Sequence, residues 1–346
     1  MFTANPLIKN NNTYSMHSYK QIFKGLIVGI LVVAPLSGFC QKEKQNATGV
    51  TKGQYGFDAD TTYLSRISVT PPEILNQFRE AGMSPTEHRL TKEEKEVIAA
   101  AFAALPPFHR WVLQEHLKSI SFLDNMPNTA LTSPIAENGT SKLYHITFRA
   151  AILHQNISEW LTEKERTCYQ KGDSTYSVSV NGGTLSALTY VLLHEGTHVV
   201  DGSMHIIGGD SIAGKLRYNA FTKAFKKHRW NNITTIICPV PNSLVLKNRF
   251  RKGGSLFRTS QAAEVYQGLQ QIPFVSLYST SSWHENLAEF LAVYHLTQML
   301  KQPFKIIVTK NGKDVLTYEP IKSPLLRKEF GLMKRFYQVS DIKRPG

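Results

Sequence analysis

The stretch TYVLLHEGTHVVDG, Thr189 to Gly202, decides how the rest of the chain is read. Inside it, His194-Glu195-Gly196-Thr197-His198 forms an HExxH pattern within an apolar helix expected over Leu185 to Val200. On a helix, positions i and i+4 share a face, so both imidazoles can reach one metal ion. Glu195 lies one residue's rotation from His194, where its carboxylate can hold a water at the metal and take its proton. Zinc makes that step accessible near neutrality by lowering the pKa of such a water to roughly 7. A pair of ordinary surface histidines would not sit among Leu192, Leu193, Val199 and Val200, because a buried His-Glu-His set needs partners.

A catalytic zinc site needs a third protein ligand and an open position. Gly202 and His205 approximate the metzincin pattern HExxHxxGxxH, but both fall one residue late and Asp201 occupies the glycine slot. The competing candidate is SSWHENLAEFLAVYH, Ser281 to His295, where Glu285 and Glu289 are four apart and share a helix face. Glu285 is the expected ligand, and Glu289 is expected to brace a ligand histidine from behind. Plainer roles exist for both. Ser282-x-x-Glu285 is itself a capping box, and Glu289 could face solvent. His284 and His295 are read as bystanders; His295 lies about 80° off the Glu285 face.

The segments LLHEGTHVVD, Leu192 to Asp201, and VSLYSTSSWHENLAEFLAVYH, Val275 to His295, resemble the anthrax-lethal-factor-like group of gluzincin peptidases. That resemblance covers these two segments alone. It implies a zincin-like domain in which the first glutamate of an ExxAE-type helix, Glu285, completes the zinc site. It also implies that Tyr278, seven residues earlier, steadies the oxyanion of the tetrahedral intermediate. A phenol suits that task because it is a neutral donor to developing negative charge, although a tyrosine at a strand end can equally pack into a core. Asp201, three residues after His198, matches the group's motif and is read as supporting the ligands or ending the helix. Positions 199–284 form a longer gap than the group leads one to expect.

Outward from these segments, helical and strand signals alternate from Thr61 onward. Thr91 and Glu94 predict a capping box ahead of a helix to Leu105, closed by Pro106-Pro107. Further helices are expected over Phe108–Leu117, Ser158–Tyr169, Ser282–Leu300 and Leu325–Tyr337, with strands at Leu143–Phe148 and Tyr176–Val180. Ile306 to Tyr318 predicts a hairpin turning at Asn311-Gly312. These signals predict one mixed α+β domain over 61–346, which the resemblance implies is a single zincin-like catalytic domain.

The first forty residues carry Lys9, Lys20 and Lys24, no acid, and the apolar run GLIVGILVVAPL from Gly25 to Leu36. A basic segment, a short apolar core and small residues at a cut site predict a secretory signal over 1–40, cleaved before Gln41. The core is shorter than the roughly 20 residues of a spanning helix. An uncleaved anchor, a lipoprotein acylated at Cys40, and a true start at Met16 are the alternatives. The lipoprotein is disfavoured by the bulk of Phe39. Secretion or a periplasmic or envelope location follows. Residues 41–60 are polar without an apolar period and read as a linker. Cys168 and Cys238 would remain in the mature chain, free to pair in an oxidising compartment, and no CxxC exists to bind zinc.

The chain has 40 Lys+Arg against 26 Asp+Glu, a formal charge of +14 that invites a nucleic-acid reading. Its location argues otherwise. Removing the signal leaves 37 against 26, and that whole excess of +11 equals the eleven Lys/Arg, with no acid, of residues 215–258. Tyr218, Phe221, Phe225, Trp230, Phe250 and Phe257 interleave them, which suits an anionic polymer or, more simply, a solvated face with core anchors. The leading expectation is a secreted zinc metallopeptidase acting on peptide or protein, with 215–258 steering an acidic substrate or surface; nucleic acid is not expected. The alternatives are an envelope protein binding anionic polymer through 215–258, or a pseudoenzyme that keeps zinc for stability.

Overall fold

The computed structural model describes residues 51–52, 58–59, 61–135, 142–172, 174–212 and 215–338. The signal expected over 1–40 lies outside the described residues. Within the segment read as a linker, Thr51–Lys52 pairs with Asp58–Ala59 as a short ribbon. From there the first half of the chain runs α1 (Pro72–Glu80), β1 (Thr86–Glu87), α2 (Lys92–Ala103), α3 (Pro107–His116), β2 (Leu117–Asp124), β3 (Ala130–Ile135), β4 (Leu143–Arg149) and α4 (Ile157–Arg166). The second half runs β5 (Tyr176–Asn181), α5 (Ala187–Met204), β6 (Gly209–Ile212), β7 (Lys215–Tyr218), α6 (Ala220–Lys226), α7 (Ala262–Gln270), α8 (Trp283–Tyr294), β8 (Lys305–Lys310) and β9 (Lys313–Tyr318). The architecture is mixed α+β.

Local chemistry explains most boundaries. Thr91 and Glu94 close the expected capping box on α2, and Asn156 with Glu159 closes another on α4. Pro107 stands in the first turn of α3, where a missing N–H costs nothing. α5 starts at the Ser186 cap and continues four residues beyond the expected Val200, ending where His205 enters the left-handed region at φ 48°. β8 and β9 form the expected hairpin, with positive φ at both Asn311 and Gly312 as a type I′ turn needs.

Two expected helices are not continuous. α8 ends at Tyr294 and passes into a π-helical turn over His295–Met299 rather than running to Leu300 as one α-helix. The last helix, expected over Leu325–Tyr337, splits into short turns at Pro324–Arg327, Phe330–Met333 and Lys334–Tyr337. The break lies at Glu329, whose carboxylate takes Arg229 at 2.9 Å while Leu326, Met333 and Phe336 anchor the chain in the core.

The main sheet has the order β1-β2-β4-β3, with β2 and β4 parallel and the outer pairs antiparallel. β3 is an edge strand, consistent with Pro134 inside it. β5, β8 and β9 form a second, antiparallel sheet. One contiguous core runs from Tyr63 to Phe336, with a satellite of Ile74, Phe78, Leu123, Met126 and Leu131. α5 crosses the middle of that core and is buried on nearly every side, as a helix apolar all round must be. Gly196 permits this: a Cβ there would stand 3.3 Å from Leu113 on α3. No helix among the described residues is long and apolar enough to cross a membrane.

The basic segment 215–258 is anchored in the core. Phe221, Phe225, Trp230, Phe250 and Phe257 are buried and Tyr218 is half-buried, so these rings are not free to stack on a polymer. Arg229 is buried on Glu329, and Arg251 donates to the carbonyls of Thr280 and Thr234. Cys168 is buried and Cys238 half-buried; neither is in a disulfide.

Candidate metal centre

α5 and α8 pack against each other, and that crossing assembles the site. α5 presents His194 and His198 on one face, as the i, i+4 spacing requires. Ser282 caps α8 by accepting from the Glu285 N–H, which places Glu285 in the first turn with its carboxylate turned toward α5. His194 Nε2 lies 3.0 Å from Glu285 Oε2, His198 Nε2 lies 3.4 Å from the same oxygen, and the two Nε2 atoms are 3.3 Å apart. All three side chains are buried.

Three groups so arranged fit a divalent cation. Corners of a tetrahedron about 2.0–2.1 Å from its centre, the range of zinc–nitrogen and zinc–oxygen bonds, stand about 3.3 Å apart, which is the spacing found here. Two imidazoles and one carboxylate are also a donor set that zinc favours. The hydrogen bonding agrees. His194 Nδ1 faces Glu289 Oε1 at 3.1 Å, which leaves Nε2 as the ring nitrogen turned toward Glu285 and His198. Nε2 points at a carboxylate oxygen and at a second imidazole nitrogen, an arrangement that favours positive charge between them, carried by a proton or by a metal ion.

The electrostatics carry the same bias. Burial opposes a charged His194, but Glu285 and Glu289 outweigh it and raise its pKa to about 9. Burial likewise opposes charge on His198, and Glu285 raises its pKa nonetheless. Burial would favour a neutral Glu285, but His198 and His194 hold its carboxyl well below the usual range. Glu289, despite complete burial, is drawn to about 2 by Lys164 and His194.

Behind His194, Glu289 is held from three sides, by His194, by Lys164 Nζ at 2.9 Å and by Ser276 Oγ at 2.7 Å. Expected as the brace of a ligand histidine, it occupies that position. Glu195 is half-buried at the edge of a cavity of about 210 Å³ and accepts from Thr132 Oγ1 on β3 at 2.6 Å. Tyr278 lines the same cavity, its ring stacked 5.7 Å from His194 and covered by Lys164 Nζ at 4.3 Å. Burial and the surrounding carboxylates push its phenol pKa well up, so it stays a neutral donor.

Asp201 stands at the end of α5 and contacts none of His194, His198 and Glu285 directly among the described residues. Its Oδ1 accepts from the Ile207 N–H at 2.6 Å, securing the helix end, and its Oδ2 lies 2.5 Å from His284 Nδ1. His284, read as a bystander, lies outside the His194–His198–Glu285 group, and through Asp201 it ties α8 to α5. His295 stays outside the site, bound to Tyr337 and the Ala104 carbonyl. His205, the alternative ligand, is exposed at the end of α5 and takes no part in the cluster. Lys164, Thr132 and Ser276 went unnoticed in the sequence. Each stands far from the motifs along the chain, and only packing brings them in. No family model, curated protein or solved structure matches the chain.

Proposed function

We propose that the protein is a zinc metallopeptidase of gluzincin type built on a zincin-like α+β domain. The observation that carries this reading is the convergence of His194, His198 and Glu285 at tetrahedral spacing beside a cavity edged by Glu195 and Tyr278. His194, His198 and Glu285 would hold the ion, with Glu289 fixing the tautomer of His194. Bound there, zinc supplies Lewis acidity toward a carbonyl and makes a coordinated water acidic enough to ionise near pH 7.

The remaining steps belong to the chain's own groups. Glu195, oriented by Thr132, accepts the proton of the attacking water and returns it to the leaving amine. The Tyr278 phenol donates to the oxygen on which negative charge develops. The outer edge of β3 has no strand partner among the described residues, and Thr129 and Ala130 at its start line the cavity. An extended peptide can add to that edge and bring a carbonyl to the site.

An intact general base beside the ligands favours this reading over a zinc-retaining pseudoenzyme, which has no need of Glu195. The polymer-binding alternative loses its stacking surface, because the rings of 215–258 are core anchors. The test is zinc analysis of the purified protein with hydrolysis of a peptide mixture. One zinc per chain is expected, with hydrolysis lost on chelation and restored by zinc. Hydrolysis that survives chelation contradicts the reading.

A further inference from the structure

The cavity beside His194 is lined by more cationic side chains than the ligand cluster needs. Arg149, at the end of β4, is the least explained. Its backbone N–H is used by the Thr129 carbonyl, but its Nε is shut off from solvent and has no partner among the described residues. A buried guanidinium N–H left this way at a cavity wall is costly unless a ligand in the cavity meets it. Lys164 and Arg249 line the same space. Lys164 is committed to Glu289, and Arg249 spends one N–H on the Thr167 carbonyl at 2.9 Å.

The cavity shares Glu163, Thr167 and Arg249 with a neighbouring groove of about 710 Å³, whose lining adds Arg166 and Lys171. Glu163 is exposed and forms no ion pair with these cations among the described residues. Positive charge therefore follows the cleft away from the metal ligands. Among the described cations of the segment 215–258, Arg249 alone lines the cleft, so much of its positive charge comes from β4, α4 and the loop after it.

We propose that this cavity receives a carboxylate of the substrate, with Arg149 as its principal partner and Arg249 as the second. The inference rests on the metallopeptidase reading for where the scissile bond lies. A planar guanidinium matches a carboxylate in paired hydrogen bonds, and partial burial strengthens them. The favoured substrate is a peptide with a carboxylate next to the cleaved bond, supplied by an Asp or Glu side chain or by a free C-terminus.

Binding is measured on zinc-loaded Glu195→Gln protein, which lacks the proton acceptor and holds peptide uncut. The probes are short peptides carrying Glu or its isostere Gln near the centre, each with a free or an amidated C-terminus. The carboxylate-bearing member of one pair is expected to bind about tenfold tighter or more, and the pair that discriminates identifies the source. Adding Arg149→Gln should erase the preference and Arg149→Lys should restore part of it. Equal binding of all four peptides, a comparison that needs no Arg149 variant, overturns the inference, as does a preference untouched by Arg149→Gln. If the unsubstituted protein cleaves acidic and neutral peptides alike, this inference falls and the peptidase reading stands. If it cleaves nothing while the Glu195→Gln protein still discriminates, the peptidase reading falls and the carboxylate site stands.

Discussion

Each side chain at the centre has a distinct duty, and substitutions should separate them. Glu285→Ala removes one of the three proposed ligands and should abolish stoichiometric zinc, read by elemental analysis. Full occupancy in that variant would exclude Glu285 as a ligand. Glu289→Ala leaves the ligand set intact but frees His194 to rotate and change tautomer. Zinc affinity should fall about 10–100-fold, measured by competition with a chelator. Tyr278→Phe should keep zinc and lower kcat by about 10²–10³ with little change in KM. An unchanged kcat would return Tyr278 to a packing role. The grouping of His194, His198 and Glu285 was legible in the sequence because helical spacing pairs His194 with His198 and Glu285 with Glu289, and the resemblance to gluzincins joined the two helices. Thr132, Lys164 and Ser276 were not, because a hydroxyl or an amine acquires its meaning only from the carboxylate that packing sets beside it.

At the scale of elements, legibility followed local signals. The capping box of α2, the first-turn proline of α3 and the Asn-Gly turn between β8 and β9 all announce themselves. β2 does not: α3 runs straight into it at Leu117, with neither glycine nor proline between them. β3 hides behind Pro134, which reads as a strand breaker until the strand is seen at an edge. The break in the last helix depends on Arg229, a hundred residues earlier, and no local pattern shows it. α4 carries Lys164, so its stability bears on the site. Asn156→Ala removes the side-chain acceptor of its capping box and should cost about 1 kcal/mol, read as a shift in the urea midpoint. A midpoint equal to that of the unsubstituted protein would show that tertiary packing alone holds the start of α4.

Across the whole molecule, three buried histidines away from the ligands set the response to acid. Burial, with some repulsion from His295, lowers the pKa of His109 to about 3, while burial lowers that of His145 to about 4; burial outweighs the Ala104 hydrogen bond to bring His295 to about 4. In the unfolded chain each titrates near 6.5. Below that pH the unfolded state takes up protons that the folded state refuses. The stability these histidines contribute is therefore complete above about pH 6.5 and falls toward pH 4, by up to about 1.4 kcal/mol per pH unit for each, while buried Glu165, its pKa raised to about 7, offsets part of that loss. Urea midpoints should drop clearly between pH 7 and pH 5; equal midpoints would mean these groups are protonated within the fold.

The net charge of +14 is also a whole-molecule property, and the sequence located its excess in 215–258 without showing its use. Arg229 is buried, Arg251 is bound to carbonyls, and among the described cations of that segment Arg249 alone lines the cleft. The central claim is that Glu195 activates water beside a zinc ion held by His194, His198 and Glu285. Zinc content and peptide hydrolysis of the unsubstituted and Glu195→Gln proteins, measured on the same samples, test it most directly. Equal zinc in both, with hydrolysis reduced by about 10³-fold or more in the variant, is the expected result. Undiminished hydrolysis by a zinc-loaded Glu195→Gln protein would contradict it.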